Sequence, residues 1–429
     1  MKGNFQIIIL VVFIAAAVFG VLVFSGAIPI GKGGKGSLGA VVLWGTIPAQ
    51  SLAKPLEDFN KANPTFTVKY EQKSSSTFDQ DLLEALASGA GPDMIFLPDN
   101  LIFGYANKIA VIPYTSYPLS TFKNIFAGAG EAFLNEKGIL AFPMSIDPLM
   151  MYYNRGMLDA GGIVRPPITW NDLTDMAPIL TKKDDTNKII KSTVALGHFS
   201  NIKHSKDILV AFFRQAGNPI IAEKNGIFSS ALGSSIGNYN LSSILKFYTD
   251  FADPNNAVYS WNKSFPNSDD AFSREDLAFY FGYASELQSL VNKNPNQNFF
   301  VAEMPQIKNA NFKSTTARVM GLAILSSSKN IATAFTAVGL LANSGFADQF
   351  AKVTMTAPAR RDLLAIKPQD AYFPIFYSSA LYAKSWLDPS PKDTDNIFNS
   401  MVNAVISGNL SVEQAIKDAS SKLDLLLIR

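Results

Sequence analysis

The chain has 429 residues, 48% of them hydrophobic and 17% charged, with a formal net charge of +2. That length and apolar content support two or three domains with sizeable cores, and the balanced charge, without a basic face, argues against a nucleic-acid partner. The absence of cysteine excludes disulfides, thiol catalysis, cysteine-based metal sites and a lipid anchor of the lipobox type.

The first element is an apolar segment. No charged residue occurs between Gly3 and Gly31, and Ile7 to Phe24 is almost purely apolar. Such a run reaches the minimum for a membrane-spanning helix and exceeds the apolar region of a cleaved signal peptide, although Ser25-Gly26-Ala27 would suit a signal peptidase. An uncleaved anchor over residues 1–30 is therefore expected. GKGGKGS at 31–37 superficially resembles a phosphate-binding loop. Its order is Lys35-Gly36-Ser37, and no strand precedes it, so it reads as a flexible tether.

Strands and helices then alternate. AVVLW at 40–44 is a short apolar run of the kind that makes a buried parallel strand. Leu52, Leu56 and Phe59 share one helical face, with Pro55 predicting a late start or a kink there. Residues 65–70 alternate as a strand. Thr77 with Gln80 predicts a capping box ahead of Phe78, Leu82, Leu83 and Leu86, and Gly89 ends that helix. PDMIFL at 92–97 is a third strand.

Further along, FPMSIDPLMMYYN at 142–154 reads as an apolar strand interrupted by one carboxylate, Asp147, between Pro143 and Pro148. Burying such a group is costly unless it is hydrogen-bonded. Thr169 to Asp172 opens a helix, 194–196 is a strand, and Ser205 is expected to cap a helix that Gly217 ends. LAFYF at 277–281 and VMGLAIL at 319–325 are further strands, and Ser411 with Gln414 predicts a capping box for the last helix. Strands alternating with helices give an α/β chain with wound sheets.

The order of these pieces resembles a known family, the extracellular solute-binding proteins of ABC importers, in the group similar to maltose-binding protein. The resemblance covers nearly everything from Ala40 to the C-terminus. It is carried by the strand ending in Trp44 with PLEDFNKANPTFTVKY, by LLEALASGAGPDMIFL, by GILAFPMSIDPLMMYYNRGMLDAGG with PPITWNDL, by LAFYFGYASELQSL with FFVAEMPQ, by GLAILSSSKNIATAFTAVGLLAN, and by TAPARR. It implies a two-lobed fold of the periplasmic-binding-protein type (type II), each lobe a wound sheet flanked by helices, joined by a multi-strand hinge. The implied lobes are 38–145 with 322–357 and 146–321 with 358–429. Crossovers are expected near Ser145 to Leu149, Arg318 to Ala323 and Ala357 to Arg361. A cleft between two rigid lobes can sequester a solute from water, and closure reports occupancy to a partner.

The same resemblance suggests ligand-binding residues. Asp147 stands where the first crossover enters the second lobe, and an ionised carboxylate accepts several sugar hydroxyls; the alternative is an Asp capping a turn before Pro148. Trp44 ends the first strand at its carboxyl end, where ligands of open α/β sheets bind, and its indole offers a flat face to a sugar; core packing is the alternative. Asp99 and Asn100 follow PDMIFL in the same topological position, or form a turn there. Tyr283 and Glu286 follow LAFYFG where the family carries ligand-facing aromatics, and Glu286 in place of a tryptophan speaks against a ligand closely like maltose. Trp386, before a Pro-rich loop, resembles a late aromatic that stacks on sugars. Tyr152 and Tyr153 should alternate to the two sides of a strand.

Other groups carry less. His198 and His204, the two histidines of the chain, make a poor metal site, being six residues apart with no HExxH pattern, and they read as polar surface or cleft lining. Arg155, Arg360 and Arg361 could bind an anion bidentately, against a reading as solvated or hinge ion pairs. No G-x-S-x-G nucleophile elbow is present.

The resemblance thus implies a binding protein without enzymatic activity, cofactor or metal. It would be monomeric and membrane-tethered outside the cytoplasm, capturing a carbohydrate by hinge closure for ABC permease subunits. The alternatives are a glycan-processing enzyme, and a sensory or adhesion ectodomain using the same lobes without transport.

Overall fold

The structure, a computed structural model, describes residues 38–224, 226–232 and 240–428; the expected anchor at 1–30 and tether at 31–37 lie outside them. Among the described residues no helix is long and apolar enough to cross a membrane. In chain order the elements that matter here are β1 (Ala40–Gly45), α1 (Ala49–Ala62), β2 (Thr67–Gln72), α2 (Phe78–Ala87), β3 (Met94–Pro98), β4 (Phe142–Asn154), α3 (Trp170–Leu180), β5 (Ile189–Val194) and α4 (Ser205–Gln215). These are followed by α5 (Leu241–Asp250), α6 (Ser268–Ser273), β6 (Leu277–Tyr283), α7 (Leu287–Lys293), β7 (Phe299–Ala302), β8 (Thr315–Ile324), α8 (Ile331–Leu341) and α9 (Ser344–Val353). The chain ends with β9 (Ala357–Pro358), α10 (Phe373–Tyr382), β10 (Ala383–Lys384), α11 (Pro391–Ile406) and α12 (Val412–Leu427).

The described residues divide into two compact units, those within 1–146 and 318–367 and those within 147–317 and 368–429. The divisions thus fall at 146/147, 317/318 and 367/368, where 145/146, 321/322 and 357/358 were expected. Both β4 and β8 run from one unit into the other. Residues 358–367 stay with the first unit because their arginines are committed there. Arg360 donates to the Ala342 carbonyl at 3.0 Å, and Arg361 Nε to the carbonyls of Lys123 and Phe126 at 3.1 and 2.9 Å.

In the first unit β1 lies between β2 and β3, parallel to both, and β8 pairs antiparallel with β3 from Met320 against Pro98 to Ile324 against Met94. β1 and β3 are apolar because helices cover them. Leu52, Pro55, Leu56 and Phe59 are the buried stripe of α1, and Phe59 meets Phe346 of α9 with ring centroids 5.8 Å apart. The sequence had placed a late start or a kink at Pro55. Instead α1 begins at Ala49 and includes Pro55 on its buried face, because packing of that stripe offsets the one backbone donor a proline lacks. The capping box expected at Thr77 does not form: Thr77 makes no cap hydrogen bond, and its hydroxyl donates to Asp81 at 2.9 Å.

The second unit is built on β6, whose residues are all buried. It pairs antiparallel with β4, Phe279 to Tyr283 against Tyr153 to Leu149, and parallel with β5. β7 pairs with the other edge of β4. Trp170 of α3 anchors the core, 4.2 Å from the Phe212 ring of α4 and 5.6 Å from that of Phe281. The capping boxes at Thr169/Asp172 and Ser411/Gln414 are present. Gly217, with φ +81, follows α4, where a left-handed residue ends a helix without a Cβ penalty. At the start of α4 the cap position is His204 rather than Ser205, which is buried as the first helical residue.

Candidate binding-site groups

In the first unit the sequence-selected residues stand at the carboxyl ends of neighbouring parallel strands, the end at which open α/β sheets bind ligands. Trp44 is next to last in β1 and only 8% exposed. Asp99 is buried in the short turn that follows β3, and Asn100 beside it is exposed. A residue that the sequence reading passed over joins them. Lys73 follows β2, its backbone N–H donates to the Gly45 carbonyl at 2.8 Å, and its ammonium sits 3.6 Å from the centroid of the Trp44 indole. Glu71 pairs with that ammonium at 3.2 Å. One face of Trp44 is therefore covered by a cation, held by attraction to the ring's electron-rich face.

In the second unit Asp147, Tyr283 and Glu286 come together, since β4 and β6 are paired with Tyr283 opposite Leu149. Asp147 takes two hydrogen bonds from one residue: the Ser285 backbone N–H at 2.9 Å and its hydroxyl at 2.6 Å. A carboxylate at the turn leading into α7 meets backbone donors that the helix leaves unpaired. Tyr152, also on β4, donates to the carbonyl of Tyr283 at 2.8 Å and to that of Ala284 at 3.3 Å. One strand thus pins the turn after the next at both its donors and its acceptors. Asp147 thus caps a turn that lies 138 residues away in sequence. Tyr152 and Tyr153 point to different surroundings as expected: Tyr152 lies against Tyr280 and Phe299, Tyr153 against Phe300.

Glu286 is the centre of a charge network. Its oxygens receive the Tyr280 hydroxyl at 2.6 Å, the Lys203 ammonium at 3.0 Å and the His204 Nε2. Burial by itself would raise the carboxyl, but the hydrogen bond and charge of His204, with Tyr280 and Lys203, outweigh it and hold the pKa at about 2. Burial, reinforced by the Glu286 charge, pushes the Tyr280 phenol well up, so it remains a donor. Gly282 makes room for this arrangement, since a Cβ there would stand 2.5 Å from the Tyr280 ring. The network continues through Lys203 to Asp269 at 3.5 Å, and Asp269 and Asp270 hold Lys293 at 2.7 and 2.8 Å. Asp269 stays below the usual carboxylate range because Lys293 and Lys203 outweigh the effect of its burial.

His204 was read from sequence as polar surface or cleft lining. Its Nε2 meets Glu286, its Nδ1 lies 3.6 Å from Asp207, and its ring stands edge-on to Tyr283 at 4.9 Å. His198 is different: it is buried, its Nδ1 has no hydrogen-bond partner, and burial together with Lys263 pushes its imidazole down. Trp386 is half-buried in the loop after β10, with no ring contact or side-chain hydrogen bond to the Asp147–Glu286 group among the described residues. The arginines weighed as anion ligands have local partners. Arg155 pairs with Asp159 at 2.7 Å and Arg360 with Asp362 at 2.9 Å, while Arg361 holds the backbone carbonyls named above.

Chemically, these groups offer an indole, carboxylates, an amide and tyrosine rings, a set suited to hydroxyl-rich ligands. Among the described residues no cluster of three or more His, Asp or Glu could hold a metal ion.

Comparison with known proteins bears on this arrangement. Residues 44–348 match the family model described as bacterial extracellular solute-binding protein. Similar folds are a cyclo/maltodextrin-binding protein complexed with maltotetraose (TM-score 0.73, 17% identity, 92% of this chain and 98% of that one) and the sugar-binding protein MalE from Xanthomonas citri (0.72, 17%, 91% and 97%). An ABC transporter solute-binding protein from Thermotoga lettingae bound to α-D-tagatose aligns at 0.66 and 20% identity over 90% of this chain and 99% of its own. A Brucella abortus (strain 2308) protein carrying a binding-protein name is 24% identical over 119 residues. That stretch covers 27% of this chain and 28% of the relative's length.

Proposed function

Because the chain belongs to the bacterial extracellular solute-binding protein family, we propose that it captures a carbohydrate, a mono- or oligosaccharide, outside the cytoplasm for an ABC importer. The family match is the observation that carries this reading. The carbohydrates held by proteins of like fold support the choice of ligand class. In this account Trp44, Asp99 and Asn100 from the first unit and Asp147, Tyr283 and Trp386 from the second contact the solute, which is held between the units by closure of the hinge strands. Glu286, already receiving three donors, acts by holding its neighbours. The protein binds without catalysing. The apolar segment at 7–24 tethers it to the membrane, so that the closed form meets permease subunits on the same surface.

The test is a thermal-shift screen of the full chain, in a non-glycosidic detergent, against sugars, oligosaccharides, polyols, amino acids and polyamines. A true solute at a hundred times its Kd should stabilise the protein by about 2.7 kcal/mol. No shift with any carbohydrate would overturn the reading, and turnover of a glycan would replace it with an enzymatic one.

A further inference from the structure

His204 occupies a left-handed backbone conformation, with φ 62 and ψ 24. Few residues other than glycine adopt it, and it persists where the surroundings over-determine it, often at functional sites. Although His204 is the cap residue of α4, its side chain makes no cap hydrogen bond. The ring is directed elsewhere. Nε2 meets Glu286, at the start of α7, and Nδ1 faces Asp207, in the first turn of α4. The ring edge stands against Tyr283, the last residue of β6.

Asp395 of α11 lies near Asp207, and burial raises its carboxyl; charged groups on the neighbouring elements have partners of their own. Lys203 binds Glu286 and Asp269, and Lys206 binds Asp388 at 2.8 Å. Tyr280 gives its hydroxyl to Glu286. An imidazole can donate from both nitrogens only when it carries both protons. With a hydrogen bond to Glu286 at Nε2 and an ion-pair contact of 3.6 Å with Asp207 at Nδ1, His204 loses the charge that holds the second when it gives up a proton.

We propose that His204 is the positioning residue of the second unit's binding group: its ring, held between Glu286 and Asp207, fixes Tyr283 and the turn 284–286, and solute affinity follows its protonation. This rests on the solute-capture reading and adds a pH response to it. As rising pH takes a proton from the ring, it is freed on one side, Tyr283 and the turn loosen, and solute is held less tightly. His198, the other histidine, lies among Lys263 and residues of α11 and the loop after it, and has no part in the response.

The experiment measures the Kd of the full chain for a solute found in the thermal-shift screen, from pH 5.5 to 9, for the wild type, His204→Asn and His204→Gly. Asparagine and glycine both accept the left-handed backbone; asparagine keeps a donor that does not titrate, and glycine removes the ring. In the wild type, Kd should weaken by roughly tenfold as pH rises, a typical coupling between sites. His204→Asn should remove that dependence, and His204→Gly should bind as weakly at pH 5.5 as the wild type does at pH 9. A wild-type Kd independent of pH, or a pH dependence that survives in His204→Asn, would overturn the proposal. Hydrogen exchange of the apo protein reads the positioning without any solute. Faster exchange of the Ser285 amide in His204→Gly, with the rest of the unit unchanged, supports it even if the solute screen fails. Unchanged exchange overturns it.

Discussion

The two groups of residues are held in different ways. In the first unit Trp44, Lys73 and Asp99 owe their placement to strand ends: three adjacent parallel strands deliver them side by side, with an ammonium set over an indole. In the second unit Asp147, Tyr283 and Glu286 are held by side chains from β4, the turn before α4, α6 and β6, through hydrogen bonds and ion pairs. Backbone placement tolerates the loss of a side chain. A charge network leaves its other members unbalanced when one is removed. The second group should therefore couple folding to binding far more tightly than the first.

Glu286→Ala gives the largest expected effect. It leaves Lys203 and His204 half-buried without their common carboxylate, at a cost of roughly 2–4 kcal/mol, measurable by urea unfolding. Asp147→Ala removes both bonds to Ser285 and should cost roughly 1–3 kcal/mol as well as solute affinity. An Asp147→Ala protein that melts like the wild type would show that the turn is held without it. Acid supplies a third test. The Glu286 carboxyl is depressed from its ordinary value of 4.5 to about 2, so its contribution is fully present above pH 4.5 and is lost as pH falls towards 2. Glu286→Gln should flatten the stability profile in that window. The smallest effect belongs to the first unit. Lys73→Ala should cost only about 0.5–1 kcal/mol while uncovering the Trp44 face, with a change in tryptophan emission as the readout. A cost as large as that of Glu286→Ala would erase the contrast between the groups.

Much of the architecture was legible along the chain. Apolar runs such as AVVLW and LAFYF marked the buried strands because such strands are covered on both faces, and Ser411 with Gln414 marked a helix start because both bonds of a capping box are local. Thr77 with Gln80 shows the same pattern without the box, since Thr77 bonds Asp81 instead. Pro55 was read as a late start or a kink because propensity is local, whereas burial of its helix face is tertiary.

At the sites the limit is sequence distance. Asp147 stood out as a carboxylate in an apolar run, but its partner Ser285 lies 138 residues away, and nothing local identifies a serine as that donor. Glu286 and His204 meet across 82 residues, so neither histidine could be ranked by spacing. Lys73 could have been found from one available signal: it follows a strand parallel to the one carrying Trp44, at the end where ligands bind.

The central claim is that both groups hold one carbohydrate. Calorimetric titration of the full chain with the solute from the screen tests it most directly, comparing the wild type with Trp44→Ala and Tyr283→Ala. The account predicts that each change weakens binding at least tenfold, about 1.4 kcal/mol, one from each unit. Wild-type affinity retained in either variant would contradict it.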